Sequence, residues 1–193
     1  MRTKFLSVFI VPLILASAAL TWNEPEDFRG IKWKATPEEI ASAVRAQWKK
    51  RREAGEIVLD AEIKEFYEDE RVKTLYIRDK IGAVPVSLFF AFLDNQFTDV
   101  SIHFESKNYS AIKSAFKERY GPPHSEKQFT IKTKAGVEYV NERLYWAGPN
   151  IIIRLEQYGG KITDGIASIG DKRYYEYIAQ REREKGKKGA KDL

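Results

Sequence analysis

Residues 85–104 read Pro85-Val-Ser-Leu-Phe-Phe-Ala-Phe-Leu-Asp-Asn-Gln-Phe-Thr-Asp-Val-Ser-Ile-His-Phe104, two apolar runs around a short polar interruption. Extended arms joined so closely run antiparallel, because a parallel pair needs a crossover of a dozen residues or more. A three-residue loop Asp94-Asn95-Gln96 pairs Leu93 with Phe97. It puts Val86, Leu88, Phe90 and Phe92 on one face with Val100, Ile102 and Phe104. A two-residue turn sets Phe90 opposite Asp99 and Leu88 opposite Ser101 instead. A coherent apolar face specifies register, so the three-residue loop with a bulge is expected.

Working outward, Thr36-Pro37-Glu38-Glu39 is a helix start, with a hydroxyl cap, proline at the first helical position and a glutamate placed for a capping box. Ile40, Val44 and Trp48 follow as one apolar stripe, and Lys49 to Arg52 suit the C-terminal dipole before Gly55. Between helix and hairpin, Ile57-Leu59-Ala61-Ile63 and Lys73-Leu75-Ile77 alternate as strands. Beyond the hairpin, Asn108 is placed to cap a second helix over Tyr109–Tyr120, with Ile112, Ala115, Phe116 and Tyr120 as its stripe and Gly121-Pro122-Pro123 as its stop. Strands are expected at Phe129–Ile131, Val137–Trp146, Ile151–Tyr158 and Ile162–Ile169. Asp171 then caps a short last helix carrying Tyr174, Tyr175 and Ile178.

The connections are too short for parallel crossovers, so the fold class is α+β: an antiparallel sheet with two main helices packed on one face and a short C-terminal helix. Phe97-Thr-Asp-Val-Ser-Ile102 and Ile162-Thr-Asp-Gly-Ile-Ala167 occupy corresponding places, which suggests a tandem helix–strand-group repeat with halves 28–106 and 107–170 inside a single domain over 28–180.

Of 193 residues, 43% are hydrophobic and 32% charged, and none is cysteine. Disulfide scaffolds, thiolate metal sites and cysteine nucleophiles are excluded. The net charge of +5 sits at the ends, with Arg2 and Lys4 at one and a net +3 in the tail 181–193 at the other, so the body between is neutral by count. Nucleic acid, which needs cations clustered on one face, is not an expected partner. The tail is expected to be a basic disordered arm making weak contact with anionic surfaces.

Arg2 and Lys4, the apolar run Phe5 to Leu15 and Ala16-Ser17-Ala18 form a secretory signal peptide over 1–18, cleaved near Ala18, ahead of a flexible leading segment 19–27. The alternative is an N-terminal membrane anchor, for which the strongly apolar part is short. A periplasmic or secreted bacterial location follows.

Asp27-Phe28-Arg29-Gly30-Ile31-Lys32-Trp33 resembles the mature N-terminus of small exported bacterial proteins of unknown function that open Phe-x-Gly-Ile-x-Trp-Gly. Tyr120-Gly121-Pro122-Pro123 and Trp146 match later features of those proteins in order. Lys34 stands where that pattern has glycine. The resemblance implies the same helix and strand order but no activity, and the layout is also similar, by analogy alone, to β-lactamase-inhibitor proteins and outer-membrane assembly lipoproteins.

No catalytic constellation stands out. His103 and His124 are not at ligand spacing, so no metal or other cofactor is expected. Ser110-x-x-Lys113 and Ser114-x-x-Lys117 match a serine–lysine motif whose supporting elements are missing. Tyr139, Arg143 and Tyr145 share one face of their strand, opposite Val140, Leu144 and Trp146, and with Trp33 they are the candidate binding residues for an envelope protein or a glycan. A non-enzymatic binding or interaction module is therefore expected. The alternatives are a small envelope hydrolase whose carboxylates converge only in space, or an inhibitor of such a hydrolase.

Overall fold

The computed structural model describes residues 22, 24–56, 58, 63–67 and 70–189. The expected signal peptide and most of the Ile57–Ile63 strand lie outside the described residues. In chain order the elements are β1 (Asp27–Phe28), β2 (Ile31–Lys32), α1 (Pro37–Glu53), β3 (Lys64–Tyr67), β4 (Val72–Ile81), β5 (Val84–Leu93), β6 (Gln96–Glu105), α2 (Tyr109–Tyr120), β7 (Ser125–Lys132), β8 (Glu138–Ala147), β9 (Ile151–Glu156), β10 (Asp164–Asp171) and α3 (Lys172–Gly189).

The β5–β6 hairpin has the expected apolar face by a different route. Its turn is two residues, with Asp94 and Asn95 both at positive φ and Leu93 opposite Gln96. Such a turn matches the right-handed twist of the arms, and Asp and Asn tolerate the left-handed region. The extra residue is Thr98, bulged out of the ladder between the pairs Phe92–Phe97 and Ala91–Asp99. Its Oγ1 donates to the Ala91 carbonyl at 3.2 Å. From there Phe90 faces Val100 and Leu88 faces Ile102, as the apolar pattern demands.

Eight strands form one antiparallel sheet in the order β3-β4-β5-β6-β10-β9-β8-β7. Each half is a helix followed by a four-strand meander, and the halves join through their last strands. The matched hexapeptides end on Ile102 and Ala167, which are direct partners across that junction. The two hexapeptides thus lie side by side at the strand pair that joins the halves.

Both main helices cover the same face. Ile40, Val44 and Trp48 of α1 and Ile112 and Phe116 of α2 share one core with Leu75, Leu88, Phe90, Ile102, Leu144, Trp146, Ile153 and Leu155. The α1 capping box forms as expected, Thr36 Oγ1 accepting from Glu39 N at 3.2 Å and Glu39 Oε2 from Thr36 N at 2.8 Å. Asn108 makes no side-chain cap; a 3₁₀ turn over Ser106–Asn108 leads into α2 instead. Ser106 anchors that turn by donating to the Ile162 carbonyl at 2.6 Å through Oγ and to the Thr163 carbonyl at 2.8 Å through N.

Two end segments are more ordered than their composition suggests. In the leading segment, Glu24 accepts from Asn150 N at 2.6 Å, from Asn150 Nδ2 at 2.9 Å and from Ile151 N, while Trp22 packs on the core. At the other end α3 continues through Gly189, so residues 181–189 are helical where a disordered tail was expected. Gln180–Glu184 and Glu182–Lys185 pairs one turn apart support it. Among the described residues no helix is long and apolar enough to cross a membrane.

Candidate functional site: the open face of the sheet

Side chains alternate along a strand, so the face away from α1 and α2 carries Tyr76, Ser87, Phe89, Asp99, Ser101 and His103 in the first half and Ile166, Ser168, Arg154, Arg143, Tyr145 and Tyr139 in the second. The N-terminal part of α3 crosses this face over β6 and β10. Tyr175 donates its hydroxyl to Asp99 Oδ1 at 2.6 Å, and Arg71 lies over the Tyr177 ring at 4.7 Å from its centroid. Burial pushes the Asp99 carboxyl up to about 7, against the Tyr175 hydrogen bond and the charge of Arg154, which favour its ionised form. Gly170 leaves room for it, since a Cβ there would sit 2.2 Å from Asp99 Oδ1.

On the β7–β8 flank, Arg143 lies 5.0 Å from the Phe129 centroid and donates to Glu156 Oε1 at 2.7 Å. Tyr139 meets Tyr158 edge-on at 6.0 Å. Asn141 is buried between them and clamps the β9–β10 loop, donating to the Tyr158 carbonyl at 3.1 Å and accepting from Tyr158 N at 3.0 Å. Tyr139, Arg143 and Tyr145 thus stand together, half-buried, on one face as expected.

Trp33 does not join them. It stacks on Phe97 at 4.8 Å and donates Nε1 to the Pro25 carbonyl at 2.7 Å, on the helix side of the sheet. The local cause is Lys34, which adopts φ +72 and donates to the Phe97 carbonyl at 2.9 Å. The tight turn is made here by lysine in the left-handed region, and it folds Trp33 onto the core.

The helix-side ion pairs serve packing. Asp79, nearly buried, accepts from Arg29 Nη1 at 2.6 Å and Arg51 Nη1 at 2.5 Å, tying the β1–β2 turn and α1 to β4. Glu142 accepts from Lys113 Nζ at 2.7 Å and Tyr109 Oη at 2.8 Å. Lys113, of the first serine–lysine match, is thereby committed to a carboxylate. His124 takes a partner too, accepting from Ala147 N through Nδ1 at 2.9 Å and meeting Trp22 edge-on at 5.3 Å. Among the described residues no three His, Cys, Asp or Glu side chains converge as metal ligands.

Sequence reasoning did not single out Tyr76, Phe89 and Phe66, because it followed the apolar face of Val86, Leu88, Phe90 and Phe92 and assigned nothing to the opposite one. The available signal was parity: Phe89 falls on the same face as Ser87 and, across the hairpin, Ser101. Comparison with protein-family models, with curated proteins and with solved structures found no match to the chain.

Proposed function

We propose that the chain is an exported, non-enzymatic interaction module of the bacterial envelope whose protein partner docks on the β7–β8 side of the sheet. The cationic, apolar and small-residue pattern of residues 1–18 and the resemblance to small exported proteins support export. One observation carries the docking surface. β7 ends the sheet, with no further strand beside it among the described residues, and next to it Val137 and Val140 are 52% and 60% exposed. An extended segment of a partner adds to β7 through backbone hydrogen bonds, while Tyr139, Arg143 and Tyr145 on one face and Val140 on the other supply selectivity. Lys127 and Lys132 on β7 discourage indiscriminate edge pairing. The exposed cations Arg183, Lys185 and Lys187 add weak attraction to anionic lipid or cell-wall polymer, through a helical arm.

Immobilised protein exposed to periplasmic extract tests this reading. A single partner is retained by the native chain and lost by V140D and by R143A, with unchanged circular dichroism. No retention, or retention undiminished in both variants, overturns it. Stoichiometric recovery of one hydrolase whose activity falls on binding identifies the module as an inhibitor. Residues 1–25 fused to alkaline phosphatase give periplasmic activity if they direct export. Removal of residues 181–193 lowers envelope association at low salt but not at high salt.

A further inference from the structure

Strand register sorts the charges of the β7–β8 side by face. On the open face of β7, β8 and β9 it sets three cations, Lys127, Arg143 and Arg154, beside one carboxylate, Glu156. The other charged residues of these strands, Glu126, Lys132, Glu138 and Glu142, fall on the helix side. Glu156 is shared: it accepts from Arg143 Nε at 2.7 Å and lies 3.8 Å from Arg154 Nε. It is 12% exposed, whereas the two guanidinium side chains are 42% and 49% exposed. Asp99, the other carboxyl that acts on Arg154, is buried and takes the Tyr175 hydrogen bond. Lys127, the cross-strand partner of Arg143, is exposed and pairs with no carboxylate among the described residues. Three cations therefore face two carboxyls, both more deeply placed, and the exposed side of the cluster is positive. α3 leads away from it, with Tyr177 lying against Arg71 at the start of β4. Next to Lys127 the edge turns apolar, since Phe129 and Ile131 follow it on the same face, each half-buried.

We propose that the segment that adds to β7 is acidic: running antiparallel, it sets apolar side chains beside Ile131 and Phe129 and a carboxylate beside Lys127, facing the positive charge of Arg143 and Arg154. This rests on the docking of a partner at β7 and names what docks there. Antiparallel addition continues the pairing of every strand in the sheet. Opposite charges across a ladder stabilise it, and a cation beside Lys127 does the reverse. The lysine that guards the edge against chance pairing thus admits a segment that brings its counter-charge. On the helix side Glu126 and Lys132 are engaged with Lys117 and Glu138, which confines the charge preference to the open face. The segment accordingly reads apolar, polar, apolar, polar, acidic.

Titration of the isotope-labelled chain by NMR with the end-capped peptides Ser-Val-Thr-Val-Thr-Glu-Ser and Ser-Val-Thr-Val-Thr-Lys-Ser tests that chemistry. The glutamate peptide is expected to shift the amide resonances of Lys127, Phe129 and Ile131. It binds about two- to fivefold more tightly than the lysine peptide, the range of one cross-strand ion pair, and the margin narrows as salt rises. K127E changes an exposed side chain of the edge strand, which the fold tolerates, and it abolishes the preference. Shifts along β7 with equal affinities, or a preference that survives K127E, overturn the acidic assignment and leave docking at β7 standing. Absence of shifts along β7 with both peptides overturns the assignment as well. Docking itself fails separately, when periplasmic extract yields no partner or one that V140D and R143A both retain.

Discussion

Replacing Asp99 by asparagine removes a buried charge while keeping the shape and the acceptor for Tyr175. In the folded chain the carboxyl holds its proton up to about pH 7, against an ordinary value of 3.8. Below pH 4 both folded and unfolded chains are protonated, and the group contributes nothing to the pH dependence. Between about 4 and 7 the unfolded chain has lost the proton that the folded chain retains, so stability falls as pH rises. Above 7 the folded carboxyl is ionised as well, and the penalty stays constant. A displacement of this size is worth at most about 4 kcal/mol, and relaxation of α3 brings the expected loss from pH 4 to 8 to about 2–4 kcal/mol. D99N has no proton to lose and should show a flatter profile, gaining on the native chain as the pH climbs. Urea unfolding followed by tryptophan fluorescence at pH 4, 5, 6, 7 and 8 and constant ionic strength measures both curves. Equal slopes for the two proteins across that window would refute the assignment, because no other change between them titrates there.

Lys34 at φ +72 carries the strain of a left-handed non-glycine residue, so K34G should raise stability by about 0.5–1 kcal/mol despite the added freedom of the unfolded chain. Thermal melting reads this as a shift of a few degrees, and a lower melting temperature would show that the lysine side chain supplies a compensating contact. Gly165 faces Phe104 across the β6–β10 junction, and a Cβ there would sit 2.2 Å from the ring. Because Phe104 is buried in the shared core, G165A should cost about 1–3 kcal/mol in denaturant unfolding. No measurable loss would mean that the two halves are less tightly joined than the register indicates.

What the residues announced locally, the structure contains. The α1 cap depends only on Thr36 and Glu39 three residues apart, and the helix stripes depend only on spacing, so both are legible in sequence. The hairpin was half legible: its apolar faces fix which residues point inward, but not whether the spare residue sits in the turn or in the strand. Twist decides that, because a two-residue turn with Asp94 and Asn95 at positive φ suits twisted arms and pushes the surplus into Thr98. The end segments were misjudged for a different reason. Glu24 finds its partners at Asn150 and Ile151, and Tyr175 finds Asp99, all far away in sequence. Composition near the termini contains no trace of such partners.

The candidate surface shows the same division. Parity along β8 was enough to group Tyr139, Arg143 and Tyr145 and to separate them from Leu144 and Trp146, because alternation is a property of the strand alone. Whether that face is open depends on where α3 lies, and α3 lies where β6 meets β10, a junction set by two halves joining through their last strands. A helix anchored at that central pair of strands leaves a flank of uncovered sheet on each side. Tyr76, Phe89 and His103 occupy one flank and the Arg143 cluster the other. Trp33 belongs to neither, since the turn at Lys34 carries it to the opposite layer, and a tryptophan in a polar stretch looks equally exposed before that turn is known. Aromatic residues on a sheet therefore become candidate ligand contacts only once the strand order shows which elements cover them. In this chain the order leaves two separate aromatic surfaces, one running out to β3 and the other to β7, on either side of the strands that α3 covers.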